Sequence, residues 1–343
     1  MQTNDSGTSQ RKSGSTISDI NRKTGRNMPQ AIATAVVLIA LLVAVMLIRI
    51  DLLMWVIVVF MLLALWELRV DFAVIDLHIP VVALWLCCAA TLIATFYAPM
   101  HVTTSSLCIA VSVVIVAIAA THRHGMNVFL SRQVAGKDKQ ERTKNGQESS
   151  PGGNTCAPCE SDGKGTASSL VRDSSVMRNV AVSVFVVLYI AAFASCIILP
   201  LTFGRHPVAH AIMVIFLPAL SDTGGLLVGA WLGKHKLSPR ISPKKSYEGL
   251  AGSMVFAAVG ALVVFLVTYR QYWSDLWWVP IVIGMVVGFV GTFGDLCASM
   301  IKRDIGIKDM GHLLKGHGGV MDRVDSILLC APFFTLILWL LGL

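Results

Sequence analysis

The chain has 343 residues, 55% of them hydrophobic and 14% charged, with a mean hydropathy of +0.70 and a formal net charge of +8. A composition this apolar excludes an ordinary soluble domain and indicates a polytopic membrane protein. The positive charge favours anionic lipid headgroups and calls for no nucleic-acid partner.

Residues 1–30 are polar, basic and poor in large apolar side chains, which predicts a disordered tail. No short apolar core with a small-residue cleavage site follows, so the first apolar run reads as an uncleaved signal anchor. Four apolar runs come next, near 31–48, 52–66, 79–98 and 104–120. Residues 123–178 turn polar again and predict a disordered cytoplasmic linker, within which Cys156-Ala157-Pro158-Cys159 reads as an incidental pair. Five further runs lie near 180–203, 207–231, 250–269, 277–301 and 326–342. Each approaches the roughly 20 residues that cross a ~30 Å hydrocarbon core. The expected fold is all-α and polytopic, with about nine transmembrane helices. The N-terminal ones occupy 31–122 and a C-terminal catalytic transmembrane domain occupies 179–343.

Basic residues resist translocation and mark the cytoplasmic side. With the N-terminus inside, 25 of the 28 Lys and Arg fall in inner segments, and Arg49, Arg205 and Arg270 fall in outer loops. The expected topology is N-terminus cytoplasmic and C-terminus outside.

Polar residues within the runs carry the chemistry. Asp222 and Asp295 are the carboxylates placed inside spans, where each costs about 2.5–3.5 kcal/mol to insert. Asp222 lies about 22 Å along a helix from Pro207, and Asp295 about 27 Å along one from Trp277, so both fall in the inner half and can share one inward-facing cavity. Ser221-Asp222-Thr223 is followed by Gly224, Gly225 and Gly229, and Gly284, Gly288 and Gly291 precede Asp295. Such glycines allow close helix approach, a local break, or pairing of two copies as a homodimer.

Two inner loops abut these spans. One carries Lys234, Lys236, Arg240, Ser242, Lys244 and Lys245, then Glu248 and Gly249 at the next helix entry. The other, Ser299 to Asp325, holds nine charged residues in 27, together with His312, His317 and Gly318-Gly319. Carboxylates, cationic side chains and glycine-opened backbone suit a polyphosphate bound with a divalent metal. Intramembrane aspartates in glycine-rich helices also suit an ion-coupled transporter, but the outer loops offer almost no polar constellation for access from that side.

The second loop resembles the signature of the phosphatidate cytidylyltransferases, or CDP-diacylglycerol synthases. It is carried here by Ser299, Lys302-Arg303, Lys308-Asp309, Gly311, His317-Gly318-Gly319, Asp322-Arg323, Val324 and Asp325. The Ser221 to Glu248 stretch is similar to the same family, so the resemblance covers residues 180–343 firmly and the first four spans in general character. Lys315 departs from the family's usual Pro or Gly. A CDP-alcohol phosphatidyltransferase would instead need a helical run of spaced aspartates, which is absent from the sequence.

The resemblance implies transfer of CMP from CTP to phosphatidic acid, giving CDP-diacylglycerol and pyrophosphate, and the topology, which lets cytoplasmic CTP reach the inner loops, favours a bacterial plasma membrane over a eukaryotic organelle. The resemblance also implies Mg²⁺, with a second metal ion as an option. Asp295 and Asp222 would be metal ligands, and Asp322 and Asp325 further ligands or partners of ligands. Lys302, Arg303, Lys308 and Arg323 would neutralise phosphates, with Asp309 beside them. Lys244 and Lys245 would hold a substrate phosphate, and Ser221 and Ser242 would donate to one. Glu248, Ser299, Gly318 and Gly319 complete the expected substrate site. His317 would either touch phosphate or orient its loop.

Overall fold

The computed structural model describes residues 28–75, 77, 79–144, 176–204, 206–238, 241–307, 310 and 319–343. Helices dominate them, in the order α1 (Met28–Ile48), α2 (Ile50–Val74), α3 (Val81–Tyr97), α4 (His101–Lys144), α5 (Val176–Thr202), α6 (Pro207–Leu232), α7 (Tyr247–Thr268), α8 (Val279–Ile305) and α9 (Met321–Leu341). An antiparallel hairpin, β1 (Lys236–Ser238) and β2 (Ser242–Ser246), joins α6 to α7. Among the described residues seven helices, α2 and α4 to α9, are long and apolar enough to cross a membrane, while α1 and α3 contribute shorter apolar stretches. The chain is an all-α, multi-pass membrane protein.

Every predicted span overlaps a helix, with overhangs of one or two residues at several ends, and two helices run well past the predicted span. Helix α2 continues past residue 66 through Glu67, Arg69 and Asp71, which the sequence pattern assigns to an inner loop. The extension is tolerated because Glu67 and Asp71 point into the protein, 2% and 6% exposed, and the Arg69 guanidinium lies 5.3 Å from the centre of the Trp66 ring. Helix α4 runs on to Lys144, so the first third of the predicted linker is helical, as its Arg, Gln, Lys and Glu residues favour. Residues 1–27 and 145–175, including Cys156 and Cys159, lie outside the described residues.

Lipid tails are as apolar as the helices, so burial alone does not drive association, and close packing of small residues must. Helices α6 and α7 meet through Gly224, Gly225, Gly249 and Gly252. A Cβ on Gly249 would stand 2.9 Å from the Gly225 carbonyl oxygen, and one on Gly252 equally close to that of Gly224. Helix α8 presents Gly288 to α7, where a Cβ would lie 2.5 Å from Met254 Cα, and Gly294 to Leu329 of α9. The glycine faces are therefore occupied within one chain. Helix α6 runs unbroken, so close approach and not a local break is what its glycines provide.

These contacts stack α6, α7, α8 and α9 around a core that includes Met213, Phe265, Ile283 and Leu328. The hairpin, the C-terminal ends of α6 and α8 and the start of α9 meet at one end of the stack. At the opposite end the His206 and Tyr269 rings lie 5.2 Å apart, and Gly204 approaches the C-terminal Leu343. The Tyr269 hydroxyl donates to Nε2 of the buried His210, whose Nδ1 donates to the Pro200 carbonyl.

Candidate active site

At the hairpin end, a pocket of about 740 Å³ opens between α6, α7, α8, α9 and the hairpin. Four carboxylates line it, Asp222 from α6, Asp295 from α8 and Asp322 and Asp325 from α9, and Asp222, Asp295 and Asp325 form one group. The three interact electrostatically with one another. Like charges brought together in a poorly solvated place require cationic compensation.

Part of that compensation is visible. Lys245 Nζ lies 2.9 Å from Asp295 Oδ2 and also donates to the Thr292 carbonyl at 2.7 Å. Arg323 lines the same pocket from the first turn of α9, and Lys236 and Ser242 reach it from the hairpin. Ser326 lines the pocket with Asp222, and its amide donates to Asp325 Oδ1 at 2.7 Å. Asp325 is 4% exposed, whereas Asp222 is open to the pocket.

The hairpin holds Lys245 in place. Lys236 pairs with Ser246 and Ser238 with Ser242. Ser246 then caps α7, its Oγ accepting the Gly249 amide at 3.1 Å. Two residues along, the Glu248 carboxylate accepts His235 Nδ1 at 2.7 Å and the His235 amide at 3.3 Å. Glu248 therefore ties the start of the hairpin to α7 and stands beside the residues that line the pocket.

The end of α8 and the start of α9 are joined by described contacts. Helix α8 ends at Gly306, whose φ of 82° turns the chain, with the Ile307 amide donating to the Lys302 carbonyl at 2.9 Å. Lys302 Nζ then meets Asp322 Oδ1 at 2.9 Å, with both side chains nearly buried. Asp322 Oδ2 accepts the amides of Met310 at 3.1 Å and Gly319 at 3.4 Å. Both oxygens of Asp322 are thus committed to these contacts, although the residue borders the pocket. Gly319 has its own steric reason: a Cβ there would overlap the Met310 carbonyl and stand 2.6 Å from Glu67 Oε2. It packs a backbone crossing instead of presenting an amide to a ligand.

Other expected residues stand elsewhere. Ser221 is fully buried and its Oγ has no hydrogen-bond partner among the described residues, so it lies behind the pocket wall. Ser299 and Arg303 sit on α8 outside the lining, Arg303 being exposed on the last turn. Lys244 belongs to β2, but its side chain lies outside the described residues, as do Lys308, Asp309, His317 and Gly318. The structure adds Ser246, Ser253, Thr292 and Ser326 to the lining. Ser246 stands at a helix entry, where a capping hydroxyl is recognisable in sequence, and Thr292 lies one helical turn before Asp295.

Among the described residues no three His, Cys, Asp or Glu side chains close around one point. The pocket offers hard carboxylate oxygens that can supply one or two ligands. That donor set fits Mg²⁺, which keeps several waters and takes its other ligands from substrate phosphates.

A protein-family model described as the cytidylyltransferase family matches residues 29–341. Among curated proteins, the chain is 39% identical to a protein of Mycobacterium leprae (strain TN) named phosphatidate cytidylyltransferase, over 45% of this chain and 48% of that one. It is 37% identical to a protein of the same name from Mycobacterium bovis (strain ATCC BAA-935 / AF2122/97), over 48% and 52%. It is 36% identical to another from Staphylococcus saprophyticus subsp. saprophyticus (strain ATCC 15305 / DSM 20229 / NCIMB 8711 / NCTC 7292 / S-41), over 39% and 50%. The matched stretch spans about half the length of these relatives.

Proposed function

The chain belongs to the cytidylyltransferase family, and from that premise we propose that it transfers CMP from CTP to phosphatidic acid, releasing pyrophosphate. The observation that carries this reading is the meeting of Asp222, Asp295 and Asp325 with Lys245 and Arg323 in one pocket. Relatives named phosphatidate cytidylyltransferase support the choice of reaction.

In this reaction a phosphate oxygen of phosphatidic acid forms a bond to the α-phosphorus of CTP, and the bond from that phosphorus to the bridging oxygen of pyrophosphate breaks. The attacking phosphate is already an anion, so positioning and charge neutralisation matter more than proton transfer. Lys245 and Arg323 orient the phosphates, and Ser242 donates a hydrogen bond from the hairpin. Asp222 and Asp295 would hold Mg²⁺, with a second ion as an option, and the metal would neutralise charge on the reacting phosphates and the leaving group. Asp325 and Ser326 keep Asp222 oriented, and Lys302 with Asp322 ties the end of α8 to the start of α9.

The proposed topology has nine spans, with the N-terminus in the cytoplasm of a bacterial cell and the C-terminus outside. It is supported by the basic hairpin and Arg323 sharing one end of the helix stack while Gly204, Tyr269 and the C-terminus share the other. The cytoplasmic end then faces CTP, and phosphatidic acid arrives laterally from the inner leaflet.

The deciding experiment incubates purified protein with each nucleoside triphosphate, with and without phosphatidic acid and Mg²⁺, and measures pyrophosphate. Release only with CTP, phosphatidic acid and Mg²⁺ together is expected. Release that ignores phosphatidic acid, or phosphatidate-dependent release with no preference among nucleotides, overturns the assignment.

A further inference from the structure

Helix α9 carries Asp322, Arg323 and Asp325 in its first turn and a half, so the placement of its first residues sets one wall of the pocket. Its N-cap residue is Val320, which has no side chain able to accept a hydrogen bond. The first amides of a helix still need acceptors, and water cannot serve here, because Val320 and Met321 are each 1% exposed. The acceptor comes from the far end of the sequence: the Met321 amide donates to Glu67 Oε2 of α2 at 3.0 Å, across 254 residues. The same oxygen lies against Gly319.

We propose that Glu67 is a positioning residue, a helix cap supplied by α2 that fixes the start of α9 and hence the Asp322 to Asp325 wall of the site. Three observations support it. Glu67 is 2% exposed and its second oxygen, Oε1, has no hydrogen-bond partner among the described residues. A buried, half-satisfied carboxylate is costly, and an apolar side chain would fill the space more cheaply if packing were its only role. A negative group at a helix N-terminus is also favoured by the exposed amides and the helix dipole. Finally, Gly319 leaves room for the carboxylate, since any Cβ would press on Oε2. The effect on turnover rests on the reaction proposed above. The effect on the start of α9 does not.

The test uses the full chain in detergent. Glu67→Gln keeps an acceptor oxygen, Glu67→Met keeps the length and removes it, and Glu67→Asp keeps the charge but withdraws the carboxylate by one methylene from the Met321 amide. Hydrogen exchange without substrate should rise in residues 319–326 by roughly 2- to 30-fold in Glu67→Met, the range that loss of a cap gives, with α6 and α7 unchanged. Glu67→Gln should stay close to the unmodified protein in exchange and in kcat, and Glu67→Met should lower kcat more than it raises KM for CTP. Unchanged exchange in Glu67→Met, a rise spread equally over α6 and α7, or equal damage from Gln and Met overturns the proposal. If Glu67→Met fails to accumulate, Glu67→Asp decides: a rise confined to residues 319–326 supports the cap, and no rise overturns it. Absence of turnover in the unmodified protein would sink the reaction assignment while the exchange result still judges Glu67.

Discussion

Lys245 and Asp295 face each other across the pocket wall at 2.9 Å, one carried by the β2 strand and the other by α8. Because Lys245 also holds the Thr292 carbonyl, one ammonium ties the hairpin to the helix that bears the central carboxylate. The pair places a cation and an anion where a phosphate and its metal would have to meet.

Replacing Asp295 by Asn keeps size and hydrogen bonding but removes the charge. The protein is expected to stay folded while kcat falls about 10²- to 10³-fold, the range seen when one preorganised electrostatic group is lost. Pyrophosphate release under saturating CTP, phosphatidic acid and Mg²⁺ measures it, and near-normal turnover removes Asp295 from the metal site.

Lys245→Met tests the partner. A charge-assisted contact to phosphate lost with the ammonium is expected to lower kcat/KM roughly 10- to 100-fold. Glu248→Gln should leave turnover nearly unchanged, because that carboxylate touches His235 and not the pocket. Equal losses in the two variants would place Glu248 in the substrate site.

Lys302 and Asp322 predict a stability effect instead. Both are nearly buried, so removing one leaves the other uncompensated, at a cost of about 3–5 kcal/mol. Asp322→Ala should lower the thermal transition in detergent, and Lys302→Met combined with Asp322→Leu should recover part of the loss. Strict additivity of the two changes would contradict a direct pairing.

Gly288→Ala places a methyl 2.5 Å from Met254 Cα on α7. Overpacking of this kind costs about 1–3 kcal/mol. A reduced melting temperature is expected, whereas Gly306→Ala should act through backbone strain at φ 82° and loosen the end of α8 only.

Much of this was legible in the chain itself. Helix positions follow from apolar run lengths, and Asp222 and Asp295 stand out because a charge inside such a run has to be compensated. The pairing of the Ser221 to Glu248 stretch with the region after Asp295 also follows from the rise per residue along each helix. The roles of individual polar groups near the pocket do not. Glu248, Asp322 and Gly319 belong to a phosphate-like motif, yet their contacts are to His235, to backbone amides and to a crossing carbonyl.

The sequence alone determined an all-α membrane architecture and the presence of intramembrane carboxylates, because length and hydrophobicity act locally and additively along the chain. Only the tertiary structure decided which charges pair, that Lys245 faces Asp295, and that Glu67 caps a helix 254 residues away. Side-chain direction and backbone hydrogen-bond satisfaction depend on which helices pack together. That choice is made by glycine contacts whose partners no local pattern names.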